Sequence, residues 1–291
     1  MPTNEKAKSI KMSTVFEHAK TDKDCESDDC DIIDNRNTVY ESAALNGNLK
    51  ILQDNEKEAI TNRLLMVYAA RRGHIEIVKW CKEKGYTNYD DSMWDAALGN
   101  HVEIVKMCKK WGARDFNGGL ERAAAKGHLN LVELFIEWGA DYFYPAIKSA
   151  CSRNFGNVIE LLHSKQPSAR TALTISASLD NTDIMKLCKK LGVNDDDISE
   201  ALQAAAELCN LNALELLFSW GVKSFEIVWH SAILNKSIAM VKLCKKFGAI
   251  DATKFIEKAM EEAGDKSRVS CTGELTENQF IESCKAILET S

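Results

Sequence analysis

Val105-Lys106-Met107-Cys108-Lys109-Lys110-Trp111-Gly112-Ala113 is a phrase this chain repeats. It returns as Val78-Lys79-Trp80-Cys81-Lys82, as Met185-Lys186-Leu187-Cys188-Lys189-Lys190-Leu191-Gly192, and as Val241-Lys242-Leu243-Cys244-Lys245-Lys246-Phe247-Gly248-Ala249. Aligned on its first apolar residue, the series is Leu52, Val78, Val105, Val132, Ile159, Met185, Leu214 and Val241, with steps of 26, 27, 27, 27, 26, 29 and 27 residues. A fixed period in this range marks a solenoid, whose short units bury their apolar faces only by stacking on neighbours. The expected fold is an all-α array of about eight to nine helix-turn-helix repeats, an architecture that argues against an enzyme.

The unit at residues 116–141 shows the physics of one repeat. Leu120 to Lys126 reads as a short Ala-rich helix, broken by Gly127-His128. Leu129 to Trp138 reads as a second, amphipathic helix, with Leu131, Leu134, Phe135 and Trp138 spaced i, i+3, i+4, i+7 along one stripe. Gly139 stands where a left-handed helix cap is wanted, and equivalents recur at Gly85, Gly112, Gly192, Gly221 and Gly248. The unit at 142–167 stops instead at Ser164-Lys165-Gln166-Pro167. Pro145 opens a first helix, where its missing N–H costs nothing. The pairs Ala69-Ala70, Ala96-Ala97, Ala123-Ala124 and Ala205-Ala206 let paired helices approach closely. Gly118-Gly119 reads as a loop between repeats.

Ala69-Ala70-Arg71-Arg72-Gly73-His74 with Val78, and Ala123-Ala124-Ala125-Lys126-Gly127-His128 with Val132 and Leu134, resemble the core of the ankyrin repeat. Gly139-Ala140-Asp141 is similar to that family's repeat end. The resemblance covers about residues 39–265. The period of about 27 falls short of the family's roughly 33 residues, and no unit carries the Thr-Pro-Leu-His opening. The shortfall lies where ankyrin proteins carry a β-hairpin finger, so fingers are expected to be reduced or absent. The Cys-Lys-Lys-Trp-Gly-Ala wording resembles short ankyrin-type repeats of large DNA viruses of amoebae, of the marseillevirus kind. That likeness implies a viral protein acting on host proteins.

The array has expected ends. The unit around Leu52 is a degenerate first repeat. A ninth begins at Phe255, is interrupted by an insertion at about residues 264–276, and resumes at Phe280, as a capping repeat would. The solenoid thus spans 39–291. Residues 1–38 form an acidic N-terminal segment with a possible short helix from Thr14 to Lys20 and disorder expected over 21–36. The chain's net charge is −6. Residues 21–35 hold seven acids and one Lys, which is −6 by itself, so the remainder sums to zero. No net basic footprint for nucleic acid follows. No apolar run approaches the roughly 20 residues of a membrane span, and the polar start lacks a signal core. A monomer in the cytosol or nucleus, host cytoplasm if viral, is expected.

The residues that invite chemistry have bland explanations. Five of the ten Cys (Cys81, Cys108, Cys188, Cys244, Cys284) share one repeat position. Repeat spacing of about 8–10 Å exceeds the roughly 7 Å between Cα atoms that a disulfide tolerates, so a column of buried thiols is expected. His74, His101 and His128 recur one per repeat, too far apart to share a zinc ion; the ankyrin resemblance gives them a structural role at the inter-helix turn. Asp195-Asp196-Asp197 reads as a helix N-terminal cap. No catalytic, metal or cofactor-binding residue is assigned, and no cofactor is expected. Lys109-Lys110, Lys189-Lys190 and Lys245-Lys246 form a basic column, read either as a solvated edge or as a ridge for an acidic partner or for the chain's own acidic tail. Trp111, Trp138 and Trp220 read as inter-repeat packing.

Recognition is expected on the first helices, which in ankyrin proteins line the concave face and bind partners. Counting ten and six residues back from the aligned apolar position places Tyr68, Asp95, Arg122 and Ser149, then Arg72, Lys126 and Arg153, on one surface. Tyr and Arg suit interfaces. Later repeats turn apolar or small there, with Leu179, Ala204 and Leu208. These residues point to a non-catalytic scaffold that binds a protein partner. An adaptor that recruits targets to ubiquitin ligase machinery is the alternative. It lacks a Leu-Pro-containing F-box-like motif in residues 264–291. A structural virion component is a further reading.

Overall fold

Helices of eight to ten residues are marginal in water by themselves, so a chain built of such pieces holds together by packing them on one another. The computed structural model describes residues 38–248 together with Phe280, Ser283, Cys284, Ala286 and Ile287. The expectations for the acidic segment, the helix at 14–20, the first helix of the ninth unit and the insertion at 264–276 lie outside the described residues. Those residues form seventeen helices and, among them, no strand, as the shortened period led one to expect. They divide into two units, one of residues 38–123 and 133–140, the other of residues 124–132 and from 141 onward.

The first unit runs α1 (Thr38–Leu45), α2 (Leu49–Asp54), a single turn α3 (Glu56–Ala59), α4 (Leu65–Arg72), α5 (Ile75–Glu83), α6 (Tyr89–Leu98), α7 (Val102–Trp111) and α8 (Phe116–Ala124). It also takes the C-terminal half of α9 (Leu129–Glu137). The first helices α1, α4 and α6 stack in that order, and each packs against its own second helix. In the second unit come α10 (Tyr144–Ser152), α11 (Gly156–Lys165), α12 (Ala169–Ser178), α13 (Thr182–Leu191), α14 (Asp195–Glu207), α15 (Leu211–Ser219), α16 (Phe225–Leu234) and α17 (Ile238–Lys246). Its first helices α10, α12, α14 and α16 stack in sequence, and the second helices α11, α13, α15 and α17 form a parallel row behind them. All eight aligned apolar residues, from Leu52 to Val241, are fully buried. At about 1.5–3 kcal/mol for each side chain removed from water, this column is a principal source of cohesion. The Ala pairs are buried too, which is how the paired helices come so close.

The turn between the two helices of a repeat has one geometry throughout. Its residue before the second helix is left-handed in every unit: Gly47, Gly73, Asn100, Gly127, Asn154, Asp180, Cys209 and Lys236 all have φ between 50° and 80°. In four of these turns the next residue reaches back to the preceding repeat. His74 Nε2 donates to the Leu45 carbonyl at 2.8 Å and His101 Nε2 to the Arg71 carbonyl at 3.1 Å. In the second unit Asn181 donates to Cys151 O at 2.8 Å, and Asn210 to the carbonyls of Ala177 and Ser178 at 2.8 Å each. The recurring His is thus an inter-repeat clasp that satisfies a carbonyl left open at a helix end. Gly73 serves two needs at once: its φ is +80°, and a Cβ there would stand 2.5 Å from the His101 ring.

The predicted C-terminal cap glycines Gly85, Gly112, Gly139, Gly192, Gly221 and Gly248 all have positive φ. Asn194 caps α14 in a reciprocal capping box with Asp197, so the cap stands one residue before the acidic triplet. One expectation is corrected. Gly118-Gly119 is no loop but the first turn of α8. A Cβ on Gly118 would lie 2.6 Å from the Trp94 ring nitrogen, and one on Gly119 2.4 Å from Phe135. Two aromatic rings lie against this helix backbone, and only a residue without a side chain admits them.

Candidate partner-binding surface

In the first unit the expected surface residues lie on stacked first helices. Tyr68 is in α4 and half-buried; Arg72 is that helix's last residue and exposed; Asp95 is in α6; Arg122, exposed, is in α8. They form an electrostatic row. Burial raises the Asp95 carboxyl above the usual carboxylate range, and the cations Arg71 and Arg122 act in the opposite direction. Burial likewise pushes the Tyr68 phenol up, helped by Glu41 and Asp95 and opposed by Arg71. Asp95 is ion-paired with the Nε of Arg71. Its side chain is 15% exposed, so the carboxylate is largely desolvated, while Arg71 at 47% reaches into water. The structure therefore brings Tyr68, Asp95 and Arg122 together.

Sequence reasoning missed Arg71 and Glu41. Arg71 stands three residues after Tyr68, a spacing that puts both on one helix face, and that was the available signal. Glu41 occupies the degenerate first repeat, where the register is hard to set. Its carboxylate accepts a hydrogen bond from Asn62 Nδ2 at 3.0 Å.

In the second unit, Lys126 is exposed in the turn after α8, Ser149 is half-buried in α10, and Arg153 is exposed at the end of α10. Leu179 and Leu208 cap α12 and α14, which pack on each other, and are 43% and 55% exposed. The same repeat position thus changes from cation to bare leucine within this unit. Among the described residues Arg72, Arg122, Lys126 and Arg153 have no ion-pair partner.

The remaining chemistry is quiet. Burial pushes the thiols of Cys81, Cys108, Cys151, Cys188 and Cys244 up to about 12, so they stay protonated and unreactive at neutral pH. The ring nitrogens of His74 and His101 are turned to backbone carbonyls. No three His, Cys, Asp or Glu side chains converge as metal ligands among the described residues. No helix among them is long and apolar enough to cross a membrane. No family model matches the chain, and no curated protein matches it either.

Proposed function

We propose that this chain is a non-catalytic, ankyrin-type repeat scaffold that binds a protein partner through the face formed by its first helices. The observation that carries the reading is the row of Tyr68, Arg71, Asp95 and Arg122. Burial opposes the charge of Asp95, yet the residue is an acid and not its neutral isostere. A desolvated carboxylate within a row of charged and phenolic side chains is a candidate for function. The exposed and unpaired Arg72, Lys126 and Arg153 extend the same chemistry. Arg and Tyr are the side chains that most often anchor interfaces. The partner such a face fits is an acidic protein surface. The repeat wording supports a viral setting, in which the partner is a host protein met in the cytoplasm.

The test is charge reversal. The triple variant Arg72→Glu, Arg122→Glu, Arg153→Glu keeps its helical circular dichroism, because all three side chains are exposed. It loses the protein that the wild-type chain retains in affinity purification and that rebinds when both are purified. Undiminished binding by the variant removes the first-helix face from consideration.

A further inference from the structure

On the other side of the first unit, among the second helices, is a groove of about 520 Å³. Its rim is Lys106, Lys109, Lys110 and Arg114, and its floor is Phe116, Leu134 and Trp138. Lys109 Nζ stands 3.9 Å from the Trp138 ring centre and 5.5 Å from that of Phe116. The two rings meet edge-on at 5.6 Å. A second depression of about 480 Å³, lined by Val102, Glu103, Lys106, Met107 and Lys110, shares two of these lysines. Among the described residues none of the four rim cations has an acidic partner. Lys79, Lys84, Lys186 and Lys246 are each paired with a carboxylate, whereas among the described residues Lys82, Lys189 and Lys190, like the rim, are not. The rim thus sets four cations without a carboxylate around an aromatic floor, with Arg114 also donating to the Lys109 and Ala113 carbonyls.

We propose that this groove is the docking site of the chain's own acidic segment, residues 21–35. Charge complementarity is the first reason. The segment carries Asp22, Asp24, Glu26, Asp28, Asp29, Asp31 and Asp34 against one Lys, and the apolar pair Ile32-Ile33 lies among them. Reach is the second. The segment leads into α1 of the same unit. With packed helices about 8–10 Å apart, α1 and the groove are separated by two to three repeats, on the order of 20–30 Å. Nine residues, from Asp29 to Thr38, span about 30 Å when extended, and the chain back to Asp22 spans about 53 Å, at roughly 3.3 Å per residue. Tethering raises the segment's effective concentration at the groove to the millimolar range, so even a weak acidic sequence would hold it. The proposal stands independently of the first-helix face.

The experiment uses the full chain and, as probe, a fluorescent peptide with the sequence of residues 21–35. In one variant the segment is neutralised (Asp22→Asn, Asp24→Asn, Glu26→Gln, Asp28→Asn, Asp29→Asn, Asp31→Asn). In another Lys110→Glu and Arg114→Glu, both exposed, are added to that neutralised chain. The wild-type chain is expected to bind the peptide at least tenfold more weakly than the neutralised chain, because its groove is filled. Adding the two reversals abolishes binding, and salt weakens it where it occurs. Equal binding by wild-type and neutralised chains overturns the proposal, as does binding unaffected by the reversals or no binding at all. A single-stranded oligonucleotide that binds the neutralised chain more tightly than the peptide does also overturns it, by making the groove a nucleic-acid site.

Discussion

The two units build the same turn with different residues. In the first, Gly47, Gly73 and Asn100 supply the left-handed conformation, and His74 and His101 clasp the preceding repeat. In the second, after Gly127, the left-handed position passes to Asn154, Asp180, Cys209 and Lys236, and the clasp to Asn181 and Asn210. Asn and Asp tolerate this conformation because their short polar side chains bond locally. Asp180 also ties its turn to the following repeat, accepting from the Ala213 backbone and the Asn212 side chain. The lesson is that the turn's geometry, and not the Gly-His spelling, is what the array needs.

The largest effects should come from the clasps. His101→Ala and Asn210→Ala are expected to cost about 1–3 kcal/mol each in urea unfolding, the range for a lost hydrogen bond with a stranded partner. Asn210→Ala removes bonds to two carbonyls, of which that of Ala177 keeps backbone donors, and His101→Asn should recover part of the His101→Ala loss. A costless Asn210→Ala beside a costly His101→Ala would show that the units are not equivalent after all.

Next comes the left-handed residue, where substitution should have opposite signs in the two units. Cys209→Gly is expected to stabilise by about 1 kcal/mol, by relieving a non-glycine residue held at φ 58°. Gly73→Ala should destabilise by at least as much, from the same backbone penalty plus collision with His101. Thermal midpoints of the two variants moving the same way would contradict the shared geometry.

The smallest effect concerns the acidic row that only the first unit has. The Asp95 carboxyl is raised above its unfolded value of about 3.9. The neutral form is therefore favoured in the folded state, and stability declines as pH rises from there through the folded value. Asp95→Asn keeps the neutral form at all pH. It should be more stable than the wild type at pH 7, with the advantage gone near pH 3. The half-exposed Arg71 pair offsets little of this. Amide exchange should place the change in the first unit, because Ser149 and Ile175 hold the equivalent positions of the second and carry no charge. A destabilised Asp95→Asn at pH 7 would mean that the Arg71 pair outweighs the burial.

The period, the helix pairs, the buried column from Leu52 to Val241 and the capping glycines were all legible, because each rests on local rules: helical spacing, left-handed caps, apolar burial. The His clasp was legible only as far as its structural role. Its target, a carbonyl about 30 positions back in the chain, depends on how repeats stack. Gly118-Gly119 misled because a glycine pair in sequence usually means a turn, while the reason for it here is two rings, Trp94 and Phe135, from other helices. The candidate surface was legible as a register, Tyr68 to Asp95 to Arg122. Its partners were not, because the carboxylate's burial and its pairing with Arg71 arise only when α4 and α6 pack.

The clasp also gives the chain an arrow. His74, His101, Asn181 and Asn210 each reach the end of a helix that was synthesised before them. A nascent chain leaving the ribosome therefore has its last emerged helix unfinished until the following turn arrives. Loss of a repeat from the carboxyl side strands an open carbonyl, whereas loss from the amino side leaves a ring or amide that water can satisfy. Arrays shortened from the two ends should not fail alike.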